Sequence, residues 1–264
     1  MGNRHLQNPE ATMSDCKEGS AGASKSFKAE TKFKVIGKES GISINSTDID
    51  PIRWGNHEKQ ARKIKKEILT QVPGAFVLKN VLTPSECKQF VDVSEKMGYV
   101  GALLTTSRGM VQDDMRNNKR VIYQTPIEFL RDTVWKRIET MCPEEVILNR
   151  GKFKWKRCGL NERIRFYRYT GGESFQPHFD GCYPRNDKER SFLTIIIYLN
   201  DDKERKGGET NFMIGRSKIK VQPQEGKALL FYHSHPQSPL HEGSEVTAGS
   251  KYVLRSDVMY KLVE

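Results

Sequence analysis

Residues 163–199 read RIRFYRYTGGESFQPHFDGCYPRNDKERSFLTIIIYL, and this stretch decides the fold. Its two ends, Arg163 to Tyr169 and Phe192 to Leu199, are dense in β-branched and aromatic residues and read as strands, with Gly171-Gly172 turning the chain between them. Towards the C-terminus the same texture returns in Lys218 to Val221, Ala228 to Tyr232 and Lys251 to Tyr260, punctuated by Gly207-Gly208 and by Pro223-Gln224-Glu225-Gly226. Towards the N-terminus it gives way to helices. Thr83-Pro84-Ser85-Glu86 is a helix start, with Thr83 as N-cap and Glu86 closing a capping box, and that helix is predicted to stop at Gly98. A second is predicted to open at Pro126, run through Leu130, Val134, Trp135 and Ile138, and end before Pro143. Earlier still, a basic helix is predicted over His57 to Leu69, broken by Pro73-Gly74, and Ala75 to Leu78 reads as a short buried strand. The order predicts a mainly β protein with a helical buttress: a closed or double-sheet core preceded by an α/β N-terminal segment.

Three regions follow. Residues 1–45 are polar and poor in bulky apolar side chains, and are expected to be a disordered leader. Residues 46–160 are expected to form the buttress, and the polar stretch Thr105 to Arg120 a substrate lid of the same domain. Residues 161–264 are expected to be the β core.

Composition narrows the class. The chain has 264 residues and a formal charge of +11, with the basic excess concentrated upstream of the last third. The densest basic run, RGKFKWKR at 150–157, could bind phosphates, but reads more simply as a strand with one solvated face. Its apolar runs fall short of a membrane span, and residues 1–15 have no apolar signal core. Five scattered cysteines without a Cys-x-x-Cys pair argue against a disulfide framework or a structural zinc site. A cytoplasmic or nuclear protein is the expectation.

The chemistry sits at His178-Phe179-Asp180. In extended chain, residues i and i+2 share a face, so His178 and Asp180 can grip one ion. His241, on a later predicted strand, would complete a facial triad of two imidazoles and one carboxylate. His233 and His235 compete for that third place, and spacing does not separate them. Such a triad leaves adjacent positions open, which suits Fe(II), a bidentate co-substrate and dioxygen better than a closed structural zinc site. Lys251 and Arg255 share one face of a later strand. A cation inside a barrel is costly unless it meets an anion, and a dicarboxylate such as 2-oxoglutarate would satisfy one of them.

Six stretches in order then make the chain resemble a known family: RFYRY at 165–169, PHFDG at 177–181, LTIIIYLN at 193–200, GGET at 207–210, LHEG at 240–243 and KYVLRSDV at 251–258. They are similar to the prolyl 4-hydroxylase-like branch of the 2-oxoglutarate- and Fe(II)-dependent dioxygenases. RNNKR at 116–120 resembles a segment found upstream of the core in some members.

The resemblance implies a double-stranded β-helix, or jelly roll, and makes His178, Asp180 and His241 the iron ligands. It puts Lys251, with Arg255 as the open alternative, on the distal carboxylate of 2-oxoglutarate. It also turns the hydroxyls of Tyr169, Tyr198 and, by period 2, Thr194 towards that co-substrate. Related halogenases carry a small residue where this chain has Asp180, so the carboxylate favours hydroxylation. The implied activity consumes 2-oxoglutarate and O2, releases succinate and CO2, uses ascorbate as reductant, and hydroxylates a protein or peptide, with proline one target. Arg116, Asn118 and Arg120 are the expected substrate residues. The competing readings are a nucleic-acid demethylase of the same chemistry and a non-catalytic cupin-like binding domain.

Overall fold

The β-rich C-terminal half closes into two antiparallel sheets with the functional residues between them. The computed structural model describes residues 54–263, apart from 103, 107–108, 112–114, 125–129, 202 and 204, together with the strands Lys32–Lys34 and Ser43–Asn45. Those two short strands pair with each other, and the rest of the expected leader lies outside the described residues.

The larger sheet has eleven strands. At its centre Lys251–Val263 lies between Glu189–Tyr198 and Arg163–Tyr169. Ala228–Tyr232 and Phe76–Lys79 extend it on one side, and Lys119–Gln124 on the other. The smaller sheet pairs His241–Ala248 with both Glu173–His178 and Thr210–Ile214, and Thr210–Ile214 with Ser217–Val221. This is the double-sheet core expected of a jelly roll.

Period 2 gives the large sheet two faces with different jobs. Ile164, Phe166, Ile195, Ile197, Leu254 and Val258 form one core with Cys87, Phe90, Val134 and Ile138 of the helices. Tyr167, Tyr169, Tyr198 and Val253 point the other way and pack with Phe212, Val221 and Val246 of the small sheet. The apolar face therefore anchors the helical buttress, while the aromatic and polar face lines the interior.

The predicted helix start is present in full. Pro84–Met97 is capped by Thr83, and Glu86 closes the capping box. Glu86 is also salt-bridged to Arg137 at 2.7 Å, both side chains fully buried. That pair ties this helix to a bent helical segment of Arg131–Trp135, Lys136–Ile138 and Glu139–Met141. The expected start of that segment at Pro126 lies outside the described residues.

Three expectations are corrected. The basic helix is only His57–Ala61; Lys65–Ile68 is instead an edge strand paired with Phe76–Lys79, because tertiary pairing overrides the helical preference of a Lys-Lys-Glu run. The lid does not extend to Arg120, since Lys119–Gln124 is a strand of the large sheet and Arg116 already bridges to Phe175. Upstream, Leu104–Thr106 pairs with Gly109–Val111 as a two-stranded unit. Finally, Cys182 is disulfide-bonded, so the cysteines are not all unpaired, which removes one support for a reducing compartment. The basic run behaves as its simpler reading predicts: Phe153–Leu160 is a strand with Trp155 buried, and Lys154 and Lys156 pair outward with Glu145 and Glu144.

Candidate metal and co-substrate site

His178 and His241 face each other in register on neighbouring strands of the small sheet. Asp180 follows two residues after His178, and the ligand atoms of all three lie within 4.8 Å of one another. Each imidazole Nε2 is 3.7 Å from an Asp180 oxygen. The Nδ1–H of His178 donates to the Gln176 carbonyl at 2.7 Å, and that of His241 to the Pro239 carbonyl at 3.2 Å. Both rings therefore present an Nε2 lone pair to the common centre, the tautomer that a metal ligand requires. Phe175 stacks on His178 at 3.6 Å between centroids, and Phe231 meets His241 edge-on at 4.6 Å, contacts that brace both rings. This donor set fits a hard or borderline divalent ion with open coordination positions.

The electrostatics hold Asp180 and His241 in the charge states that a metal ligand requires. Burial alone would raise Asp180, but Arg255, whose Nη2 is 3.1 Å away, and the two imidazoles keep its carboxyl well below the usual range. Burial lowers His241 to about 4, against the pull of Asp180, so it is neutral at physiological pH.

A relay absent from the sequence expectations fixes Asp180 further. Thr194 donates its hydroxyl proton to Asp180 Oδ2 at 2.7 Å, which leaves its oxygen to accept from His233 Nδ1 at 2.9 Å. His233 Nε2 in turn accepts from the Ser191 hydroxyl at 2.8 Å. His233 is fully buried, and burial lowers it to about 4, so it serves as a neutral hydrogen-bonding spacer. The sequence offered it as a rival ligand; the structure puts it behind the ligand. His235 stacks on Tyr232, away from the triad.

The triad opens onto a cavity of about 240 Å³. Tyr169, Lys251 and Arg255 line it, as do Tyr167 and Val253. Their convergence follows from register: Tyr169 is opposite Lys251, Tyr167 opposite Val253 and Arg165 opposite Arg255, all on the interior face. Lys251 is 3 % exposed and sits over the rings of Tyr169 and Tyr198, at 4.8 and 5.8 Å from their centroids. Burial, with help from Arg205, lowers it to about 7. Among the described residues no carboxylate forms a salt bridge with it. Arg255, by contrast, is engaged by Asp180 and Asp257. Tyr167 is lowered to about 8: burial raises it, but Arg255, Arg120, Arg165 and Arg116 together overcome that.

Several expected residues stand elsewhere. Thr194 does not line the cavity, because its hydroxyl is spent on Asp180 and His233. Tyr198 bonds Thr210 at 2.8 Å and stays behind the wall. Of the expected substrate residues only Arg116 lines the cavity, lying over the Phe175 ring. Asn118 is fully buried and bonded to local backbone, and Arg120 sits outside the lining. Phe179 and Met115, both exposed, form an apolar rim beside Arg116 that the sequence did not flag.

Comparison with known proteins agrees with this geometry. Residues 164–256 match the family model described as the 2OG-Fe(II) oxygenase superfamily. Fold and match together define the class: the protein is a 2-oxoglutarate- and Fe(II)-dependent oxygenase, an enzyme with a jelly-roll core. Within it the chain is prolyl 4-hydroxylase-like. Prolyl 4-hydroxylase 1 of Arabidopsis thaliana is 26 % identical over 232 residues, covering 79 % of this chain and 74 % of that protein. Probable prolyl 4-hydroxylase 3 of the same plant is 24 % identical over 212 residues, covering 70 % and 69 %. The prolyl hydroxylase of Trichoplax adhaerens, solved with a hypoxia inducible factor oxygen degradation domain peptide fragment, superposes with a TM-score of 0.52 at 20 % identity, covering 70 % of this chain and 83 % of that one, and shares the fold.

Proposed function

We propose that this enzyme hydroxylates a C–H bond of a protein or peptide side chain, with proline the first candidate, using one Fe(II) held by His178, Asp180 and His241. The observation that carries this reading is the placement of the triad: its three donors converge at one end of a cavity whose wall carries a buried cation, Lys251. Bound Fe(II) and 2-oxoglutarate, with O2, supply the oxidant for hydroxylation, and succinate and CO2 are released. Ascorbate is the proposed reductant.

The chain's own residues divide the work. Asp180 stays anionic through Arg255 and the Thr194 relay, and both imidazoles keep a lone pair free for the metal. Lys251, without a carboxylate partner among the described residues, meets the distal carboxylate of 2-oxoglutarate; Arg255, already paired, steadies Asp180 instead. Tyr169, beside Lys251, faces the same co-substrate. Met115, Phe179 and Arg116 receive the substrate at the mouth. The peptide class of substrate is supported by the relatives, which are named prolyl 4-hydroxylases. The basic run gives the nucleic-acid reading no support, since the strand Phe153–Leu160 pairs with the far end of Lys251–Val263.

The test is a screen of proline-containing and control peptides for stimulated succinate release and gain of one oxygen atom by mass spectrometry. Oxygen in a peptide, abolished by Asp180→Ala, supports the proposal. Stimulation by methylated oligonucleotides with no peptide oxidised would overturn it.

A further inference from the structure

Arg205 lies on the loop between Glu189–Tyr198 and Thr210–Ile214, outside every stretch that carries the family resemblance except as the neighbour of Gly207-Gly208. A loop arginine would ordinarily extend into water. This one is only 6 % exposed. Its Nη1 donates to the carbonyl of Gly207, while its Nε and Nη2 are buried with no hydrogen-bond partner among the described residues. A buried donor left unsatisfied is destabilising, and more so when it is charged. An arginine whose role was only to brace the loop would be expected to spend those donors on backbone carbonyls.

The neighbour it faces makes the burial stranger. Gly208 has φ +77°, and a Cβ built there would lie 3.2 Å from Arg205 Nη1 and 3.3 Å from Lys251 Cδ. The guanidinium and the lysine stem therefore adjoin across a gap that only glycine leaves open, and Arg205, which is not on the cavity lining, meets the site behind Lys251 and Gly208. Two like charges are buried side by side, and Arg205 is, after burial itself, the main influence lowering Lys251. The acid that pulls the other way, Glu209, has its Oε2 engaged by the Ser244 hydroxyl at 2.6 Å. Two adjacent buried cations, Arg205 with orphaned donors among the described residues, form a site suited to an anion with more than one acceptor.

We propose that Arg205 is a second cation of the co-substrate site, sharing with Lys251 the distal carboxylate of 2-oxoglutarate. This rests on the function proposed above. Lysine supplies a point charge, whereas the planar guanidinium supplies parallel N–H donors that match a carboxylate edge. Together they would select for a five-carbon 2-oxo acid ending in a carboxylate over one ending in a methyl group.

The test measures equilibrium binding of 2-oxoglutarate and of 2-oxopentanoate, which keeps the chelating end but lacks the second carboxylate, to the anaerobic Fe(II) protein by calorimetry. Arg205→Met should weaken 2-oxoglutarate about 10- to 150-fold, the loss of a charged hydrogen bond, and leave 2-oxopentanoate unchanged. Arg205→Lys should recover part of that loss, which a loop-bracing role would not do. If Lys251→Met weakens 2-oxoglutarate and neither Arg205 variant does, this inference is overturned while the co-substrate reading stands. If Lys251→Met also has no effect, the co-substrate reading itself has failed.

Discussion

The buried position of Lys251 makes the affinity for 2-oxoglutarate depend on pH in a defined way. A value of about 7 in place of 10.5 means that burial, with Arg205 adding to it and Glu209 opposing it, penalises its charged form by about 5 kcal/mol in all. An arriving carboxylate recovers part of that penalty and raises the lysine again. Below pH 7 the ammonium is already present, and binding takes up no proton. Above pH 7 it has to take one up, so the affinity falls about tenfold per pH unit until the value of the bound state is passed. Lys251→Met keeps the length of the stem but removes the charge. Losing one partner of a desolvated ion pair costs about 2–5 kcal/mol, so its dissociation constant should rise roughly 30- to 4,000-fold at pH 6.5. Its profile from pH 6.5 to 9 should also lose that slope, leaving only the weaker effect of Tyr167, which is lowered to about 8 in the same cavity. Calorimetric titration of the anaerobic Fe(II) protein at several pH values measures both. A flat wild-type profile, or the same slope kept in the variant, would refute the reasoning.

Three other perturbations probe separate parts of the molecule. Thr194→Val removes the hydroxyl that orients Asp180 and should lower Fe(II) affinity about 10- to 100-fold without unfolding the core, as read by competition with a chelator. Arg116→Ala should reduce peptide-coupled succinate release while sparing the uncoupled reaction, and equal loss in both assays would place Arg116 in the co-substrate machinery instead. Glu86→Gln breaks the buried pair with Arg137 and should cost about 3–5 kcal/mol in denaturant unfolding. Burial would raise Glu86, yet Arg137 and two backbone N–H groups hold it at about 2, below the ordinary 4.5. Its stabilisation is therefore complete above pH 4.5 and lost as pH falls towards 2, an acid slope that the variant should lack.

The sequence disclosed local signals and hid those set by packing. The Thr83 to Glu86 capping box and the central strands were legible because caps and period-2 runs act over a few residues. His178 and Asp180 could be paired by the same short-range rule. His241 could not be told from His233 by spacing, since the two lie eight residues apart around one turn and only strand pairing decides which imidazole meets His178. Lys65–Ile68 was misread because its strand character comes from Phe76–Lys79, not from its own composition. Thr194 did share the predicted face, but whether its hydroxyl reached the cavity or Asp180 depended on a distance between strands that periodicity does not contain. Arg205 left no signal, because its nearness to Lys251, 46 positions later in the chain, is created by the fold.

The central claim is that His178, Asp180 and His241 together hold one catalytic Fe(II). Anaerobic Fe(II) titration of the purified wild-type protein, Asp180→Ala and His241→Ala, with bound iron counted at each step and circular dichroism confirming the fold, tests it most directly. The account predicts one equivalent bound by the wild type and retained through gel filtration, and none retained by either variant. Folded variants that keep a full equivalent of iron would contradict it.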